Sequence, residues 1–173
     1  MKPIKIDRCY VVDSSIAIYG GFEARAFTQA SQSVAIACAS FLSRAAFHGA
    51  ELHVPFVFFS EITNVLYSRL VSSGLYSLEE GKLFLEDIFS TNWELHFPVR
   101  NSVFDTQSKL EYQGSTTDAE FLALAEDLKY TFITTDEQLV QKARARNLKV
   151  KVLLVSDHPW AQLGGVDEFP IDL

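Results

Sequence analysis

Short β-favouring runs alternate with amphipathic helical stretches from residue 8 to about residue 155, and that alternation leaves few folds open. The runs are Arg8 to Asp13, Glu51 to Pro55, Trp93 to Pro98, Tyr130 to Ile133 and Lys149 to Val155. Between the first two, an Ala-rich stretch from about Ser33 to His48 reads as a helix closed by Gly49. Pro55 opens a second helix, in which Phe58, Ile62, Val65, Leu66 and Leu70 recur at helical spacing. Ser77-Leu78-Glu79-Glu80 is a capping box that starts a helix running to about Phe89, and Val103 to Tyr112 makes another that leads to Gly114. A second box, Thr117 to Glu120, precedes Phe121, Leu122, Leu124, Ala125 and Leu128, and Thr135-Asp136-Glu137-Gln138 begins the helix of Leu139, Val140 and Ala143. A strand followed by a helix followed by a strand is the signature of a parallel sheet, so the expected fold is single-domain α/β with a central parallel sheet flanked by helices. In such open sheets ligands gather at the carboxyl ends of the strands.

Composition narrows the class further. At 173 residues the chain fits one domain that buries roughly two thirds of its unfolded surface. With 48% hydrophobic and 21% charged residues it has a globular rather than a disordered balance. Its apolar stretches, Val54 to Phe59 and Val34 to Ala39 among the longest, fall far short of the roughly 20 residues of a membrane helix. The start, Met1-Lys2-Pro3-Ile4-Lys5, has no apolar core of a secretion signal. Cys9 and Cys38 offer at most one bridge and no metal-ligand pair, which fits a reduced cytoplasm; Cys9 reads as a small buried hydrophobe. Gly20-Gly21 interrupts the segment after the first strand, and the polar stretch from Glu23 to Ser33 reads as a loop or lid.

Four acids occupy positions where this fold would bring carboxylates together. Asp13 ends the apolar Tyr10-Val11-Val12 run, Glu61 lies beside a buried helical stripe, and Asp118 and Asp136 fall in first turns. Taken singly, each has a plain structural role. First-turn acids complement the helix dipole, Asp13 can cap the helix that Ser14 and Ser15 start, and a helical Glu usually faces water. Taken together, they form an oxygen-only donor set without His or Cys, which suits Mg²⁺ or Mn²⁺ and suits zinc poorly. Glu80 and Glu120 read instead as capping-box partners.

The segments Val11-Val12-Asp13-Ser14-Ser15, Ser60-Glu61-Ile62-Thr63-Asn64-Val65-Leu66, Thr117-Asp118-Ala119-Glu120-Phe121-Leu122-Ala123-Leu124-Ala125 and Ile133-Thr134-Thr135-Asp136-Glu137-Gln138-Leu139 follow one another in this order. In that order the chain resembles the PIN-domain ribonucleases, in particular the VapC-type toxins of bacterial toxin–antitoxin pairs. The resemblance covers residues 8 to about 155 and implies a PIN-like nuclease domain over residues 1–155, with residues 156–173 as a C-terminal extension. It also implies a catalytic Mg²⁺ or Mn²⁺ centre at Asp13, Glu61, Asp118 and Asp136, cleavage of single-stranded RNA, and inhibition by a cognate antitoxin. Ser14, Thr134 and Thr135 then become candidates for holding the fourth acid or the substrate. A second copy of the chain is a further expected partner, and a membrane is not. The chain departs from the family in its long stretch between Asp13 and Glu61 and in its extended tail.

Charge sets a condition on this reading. With 15 Lys plus Arg against 22 Asp plus Glu, the net charge is −7, so a polyanion can be held only where cations are local. Lys142, Arg144, Arg146, Lys149 and Lys151 are the one basic cluster, and Arg144 and Arg146 are the candidate substrate contacts. The same residues also read as a helix C-terminus complementing its dipole. Neither GxGxxG nor GxxxxGK[ST] occurs, and His48, His53, His96 and His158 are scattered. Two rival classes are a non-catalytic RNA-binding or scaffold module of the same fold and a receiver-like phosphotransfer domain. The latter wants a Lys near a late strand and an acceptor Asp in mid-domain, neither of which stands out.

Overall fold

The computed structural model describes residues 7–21, 29–110 and 116–162. Five strands, β1 (Cys9–Val12), β2 (Glu51–Pro55), β3 (Trp93–His96), β4 (Thr131–Thr134) and β5 (Val152–Leu154), form one sheet in the order β3-β2-β1-β4-β5. Every pairing is parallel. The helices are α1 (Ser14–Gly21), α2 (Gln29–Phe47), α3 (Val57–Val65), α4 (Leu78–Ser90), α5 (Arg100–Lys109), α6 (Thr116–Leu128), α7 (Glu137–Ala145) and α8 (Pro159–Gln162). The chain is therefore α/β, with a five-stranded all-parallel central sheet flanked by helices. Among the described residues no helix is long and apolar enough to cross a membrane.

Alternation along the strands builds two cores. Val11 and Phe132 pack with Phe58, Ile62, Phe121, Leu122, Leu139 and Val140. Tyr10, Val12 and Ile133 pack with Phe41, Cys38 and Trp160. Successive strand side chains point to opposite faces, so three consecutive apolar residues in β1 serve both layers. The chain leaves α2 through Gly49, whose φ of 62° is the left-handed conformation that ends many helices.

Several boundaries differ from the sequence expectations for local reasons. Pro55 ends β2 rather than opening α3, its ring tolerated where the strand stops and Phe56 takes the N-cap position. Gly20 and Gly21 complete α1. Of the expected loop from Glu23 to Ser33, residues 23–28 lie outside the described region, while α2 already begins at Gln29. Beyond Val65 the helix widens into a π-turn over Leu66–Val71, with the Ser72 amide bonding the Tyr67 carbonyl at 2.9 Å. The capping box at Ser77 and Glu80 forms as expected. The box at Thr117 does not, because α6 is already helical at Thr116.

The first part of the C-terminal segment belongs to the core. Trp160, 3% exposed, lies 5.6 Å from Tyr10 and 5.8 Å from Phe41 between ring centroids. The Trp160 amide donates to His158 Nδ1 (3.2 Å), which leaves Nε2 to donate to the Tyr10 hydroxyl, also at 3.2 Å. Burial, with Lys151 nearby, pushes the His158 pKa down to about 4, in keeping with a neutral ring in that network. Trp160→Ala is expected to cost about 3–5 kcal/mol, as core Trp truncations do. A denaturant midpoint equal to that of the wild type would contradict docking of this segment.

Candidate functional site

The strand order reverses direction at one place. β2 and β3 are added on one side of β1, and β4 and β5 on the other, so the switch point lies between β1 and β4, where open α/β sheets place their ligands. Asp13 follows β1 there, and its amide donates to the Ile133 carbonyl at 3.0 Å. The register Val12↔Ile133 sets Asp13 beside Thr134, whose hydroxyl donates to Asp13 Oδ2.

Asp13 also caps α1, Oδ1 accepting the Ser15 amide at 3.1 Å. The capping role and the cluster role coexist in one side chain. Ser14, buried, holds its hydroxyl 2.9 Å from Glu61 Oε2 and 3.3 Å from Asp13 Oδ1, so it ties the carboxylate of α3 to that of β1. Glu61 accepts a second hydrogen bond from Thr117 in the first turn of α6. Asp118, the next residue, is close enough for its charge to raise the pKa of both Asp13 and Glu61. For each of those two acids burial is the largest cause of the upward shift, and hydrogen bonds pull the other way.

Three of the four expected acids, Asp13, Glu61 and Asp118, thus lie near enough at the switch point to feel one another's charge, but their carboxylate oxygens do not all come within 4.8 Å of one another. The fourth is joined less directly. Asp136 is exposed and is the N-cap of α7, with Oδ1 accepting the Leu139 amide at 2.9 Å. It reaches the cluster through Thr134, whose hydroxyl accepts the Asp136 amide at 3.1 Å while donating to Asp13. Thr134 is fully buried, so it positions acids and does not present itself to a substrate; Ser14 acts likewise. The Thr135 hydroxyl donates to Ser15 Oγ at 2.9 Å.

Arg144 and Arg146 are not brought to the acids. They stand in the last turn and at the C-cap of α7, about 12–15 Å along the axis from Asp136 at 1.5 Å per residue. There they complement the helix dipole. A cleft of about 720 Å³, lined by Ala17, Ala46, Glu51, Phe84 and Trp93 among others, touches none of the four acids.

Sequence reasoning missed two participants. Thr117 reads as a cap but bonds Glu61, because α6 is already helical at Thr116 and Thr117 lies inside its first turn. Cys9 reads as a buried hydrophobe, yet it is half-buried with its thiol 3.6 Å from Glu51 Oε2; only the β1–β2 register, Cys9↔Glu51, makes that pair visible.

No family model matches the chain, and no curated protein matches it. Among solved structures it is similar to the crystal structure of PAE2754 from Pyrobaculum aerophilum. That likeness covers 85% of this chain and 89% of the other, with a TM-score of 0.58 and 17% identity, and at that identity it speaks for the fold alone.

The raised carboxylates carry a stability consequence. A folded-state pKa above the unfolded one contributes stability that is present below the unfolded pKa and lost as pH rises through the folded pKa. Asp13→Asn, neutral at every pH, is therefore expected to raise the melting temperature of the metal-free protein at pH 7. The gain should shrink toward zero as pH falls below the carboxylate range. A variant less stable than the wild type at pH 7 would contradict the charge crowding.

Proposed function

We propose that this chain is a divalent-metal-dependent endoribonuclease of the PIN type that cleaves single-stranded RNA, acting in the cytoplasm as the toxin of a toxin–antitoxin pair. The observation that carries the reading is the gathering of carboxylates from the end of β1, from α3 and from α6 at the β1/β4 switch point, with Asp13 and Glu61 destabilised as anions by burial and by the Asp118 charge. Such a cluster is costly unless a cation or a proton offsets it.

The donor set is all oxygen, which fits Mg²⁺ or Mn²⁺. Asp13, Glu61 and Asp118 would hold the ion, with the exposed Asp136 at the rim. When bound, such an ion supplies Lewis-acid polarisation of a phosphate and a lowered pKa for water. The chain's own residues do the positioning. Thr134 and the Ser15 amide fix the two oxygens of Asp13, Ser14 and Thr117 fix Glu61, and the α7 N-cap fixes Asp136. No residue is needed as a covalent nucleophile.

An antitoxin or a second copy of the chain needs a surface. The edge strand β3 and its flanks expose Phe56, Leu95, Phe97 and Val99, with the Phe56 and Phe97 rings stacked at 5.3 Å. This apolar group supports a protein partner rather than RNA there. A non-catalytic RNA-binding or scaffold module is the second reading, favoured by the distance between the basic cluster and the acids.

Single-stranded RNA incubated with purified protein and Mn²⁺ distinguishes the two. Wild type is expected to cleave, chelator to stop it, and Asp13→Asn or Asp118→Asn to abolish it with the fold intact. Thr134→Val, which removes an orienting hydroxyl, should lower metal affinity or activity about 10–100-fold. Chelator-insensitive cleavage, or equal cleavage by Asp13→Asn, would overturn the mechanism. Wild type that binds varied RNAs without cutting them would favour the module.

A further inference from the structure

The opposite edge of the sheet carries a second cluster of a different chemistry. Cys9 and Glu51 open β1 and β2, and His53 lies two residues along β2. One ligand atom from each, a thiol sulfur, a carboxylate oxygen and a ring nitrogen, lies within 4.8 Å of the others. Among the described residues this is the one group of three or more His, Cys, Asp or Glu side chains that meets that limit. The four steps from Cys9 to Asp13 rise about 13 Å at about 3.3 Å each, so the two clusters are separate.

Two spacings are informative. Cys9 Sγ lies 3.6 Å from Glu51 Oε2, and His53 Nε2 lies 3.4 Å from the same oxygen. Tetrahedral coordination with Zn–S near 2.3 Å and Zn–N and Zn–O near 2.1 Å gives edges of about 3.6 Å for S···O and about 3.4 Å for N···O.

The histidine supplies the independent observation. His53 is 6% exposed, and its Nε2 is buried without a hydrogen-bond partner. Its other nitrogen, Nδ1, meets His96 Nε2 at 2.9 Å. With Nδ1–H donating, the Nε2 lone pair faces a carboxylate and a sulfur, an arrangement of three electron-pair donors that wants a cation among them. With His96 donating instead, the buried Nε2–H has only the Glu51 oxygen at 3.4 Å, a contact that falls short of hydrogen-bond geometry. A thiol–carboxylate hydrogen bond satisfies Cys9 and leaves this nitrogen unanswered. An orienting group on the remote nitrogen of a histidine is also how metal-ligating imidazoles are held. Tyr130 plays that part for Cys9, bonding its sulfur through the hydroxyl while its ring lies 4.8 Å from that of His53.

We propose that Cys9, Glu51 and His53 form a zinc-binding site at the amino edge of the sheet, with a fourth position open to solvent beside the exposed Glu51. Mixed sulfur, nitrogen and oxygen donors select a borderline metal such as Zn²⁺ over Mg²⁺ or Mn²⁺, so the site does not depend on the proposed nuclease centre. A zinc ion there would staple the starts of β1 and β2.

The test is a Co²⁺ titration of chelator-stripped protein, followed by displacement with Zn²⁺. Expected are one equivalent of zinc per chain and a thiolate-to-cobalt charge-transfer band. The band should vanish in Cys9→Ser, and Zn²⁺ affinity should fall at least tenfold in Glu51→Gln, a surface change that leaves the core alone. His96→Gln should weaken binding about 10–100-fold, and Asp13→Asn should leave both readouts unchanged. Absence of the band in folded wild type, zinc binding unaltered in both Cys9→Ser and Glu51→Gln, or zinc lost in Asp13→Asn would each overturn the assignment.

Discussion

Pairing of β1 with β4 in the register Val12↔Ile133 decides what the carboxyl edge of this sheet can be. It lays Asp13 against Thr134, and Thr134 then joins two acids from distant parts of the sequence, donating to one and accepting the backbone of the other. A shift of one residue would turn Thr134 to the other face and leave the Asp13 carboxylate without its hydroxyl. Burial of Val12, Ile133 and Phe132 on both faces makes that shift expensive, so the core holds the site in register.

The site itself works against the fold. Burial and the neighbouring carboxylates make the anions of Asp13 and Glu61 unfavourable, and serine, threonine and backbone donors only partly offset this. Asp13 and Asp136 still contribute helix caps, but the cohesion of the protein comes from elsewhere. Apolar layers on both faces provide cohesion, and the polar edge draws on it. This is the pattern expected where function needs a crowded charge that stability alone would remove. At the amino edge, the unpartnered His53 nitrogen has the same character in a different donor chemistry.

Much of this architecture was legible in the chain. Buried parallel strands announce themselves as short apolar runs between helices, and all five runs became strands. Asp13 and Glu61 could be singled out because each stands against apolar neighbours. Asp118 and Asp136 could not be told apart, since both fall in a first turn after a threonine. Only the start of α6 at Thr116 and the capping bond of Asp136 separate them. Arg144 and Arg146 read as candidate substrate contacts from their clustering, which says nothing of which end of α7 they occupy relative to Asp136. The Cys9, Glu51 and His53 group was hidden for another reason. Its members meet through strand register, which no local pattern encodes.

The central claim is that the carboxylates at the β1/β4 switch point are a metal centre. Crystals soaked in Mn²⁺ and measured at the manganese absorption edge test it directly, because anomalous scattering locates the ion without reference to activity. A peak is expected in contact with Asp13 and Glu61 and beside Asp118, absent from crystals of Asp13→Asn. Manganese bound elsewhere on the molecule, with none among these three carboxylates at millimolar concentration, would contradict it.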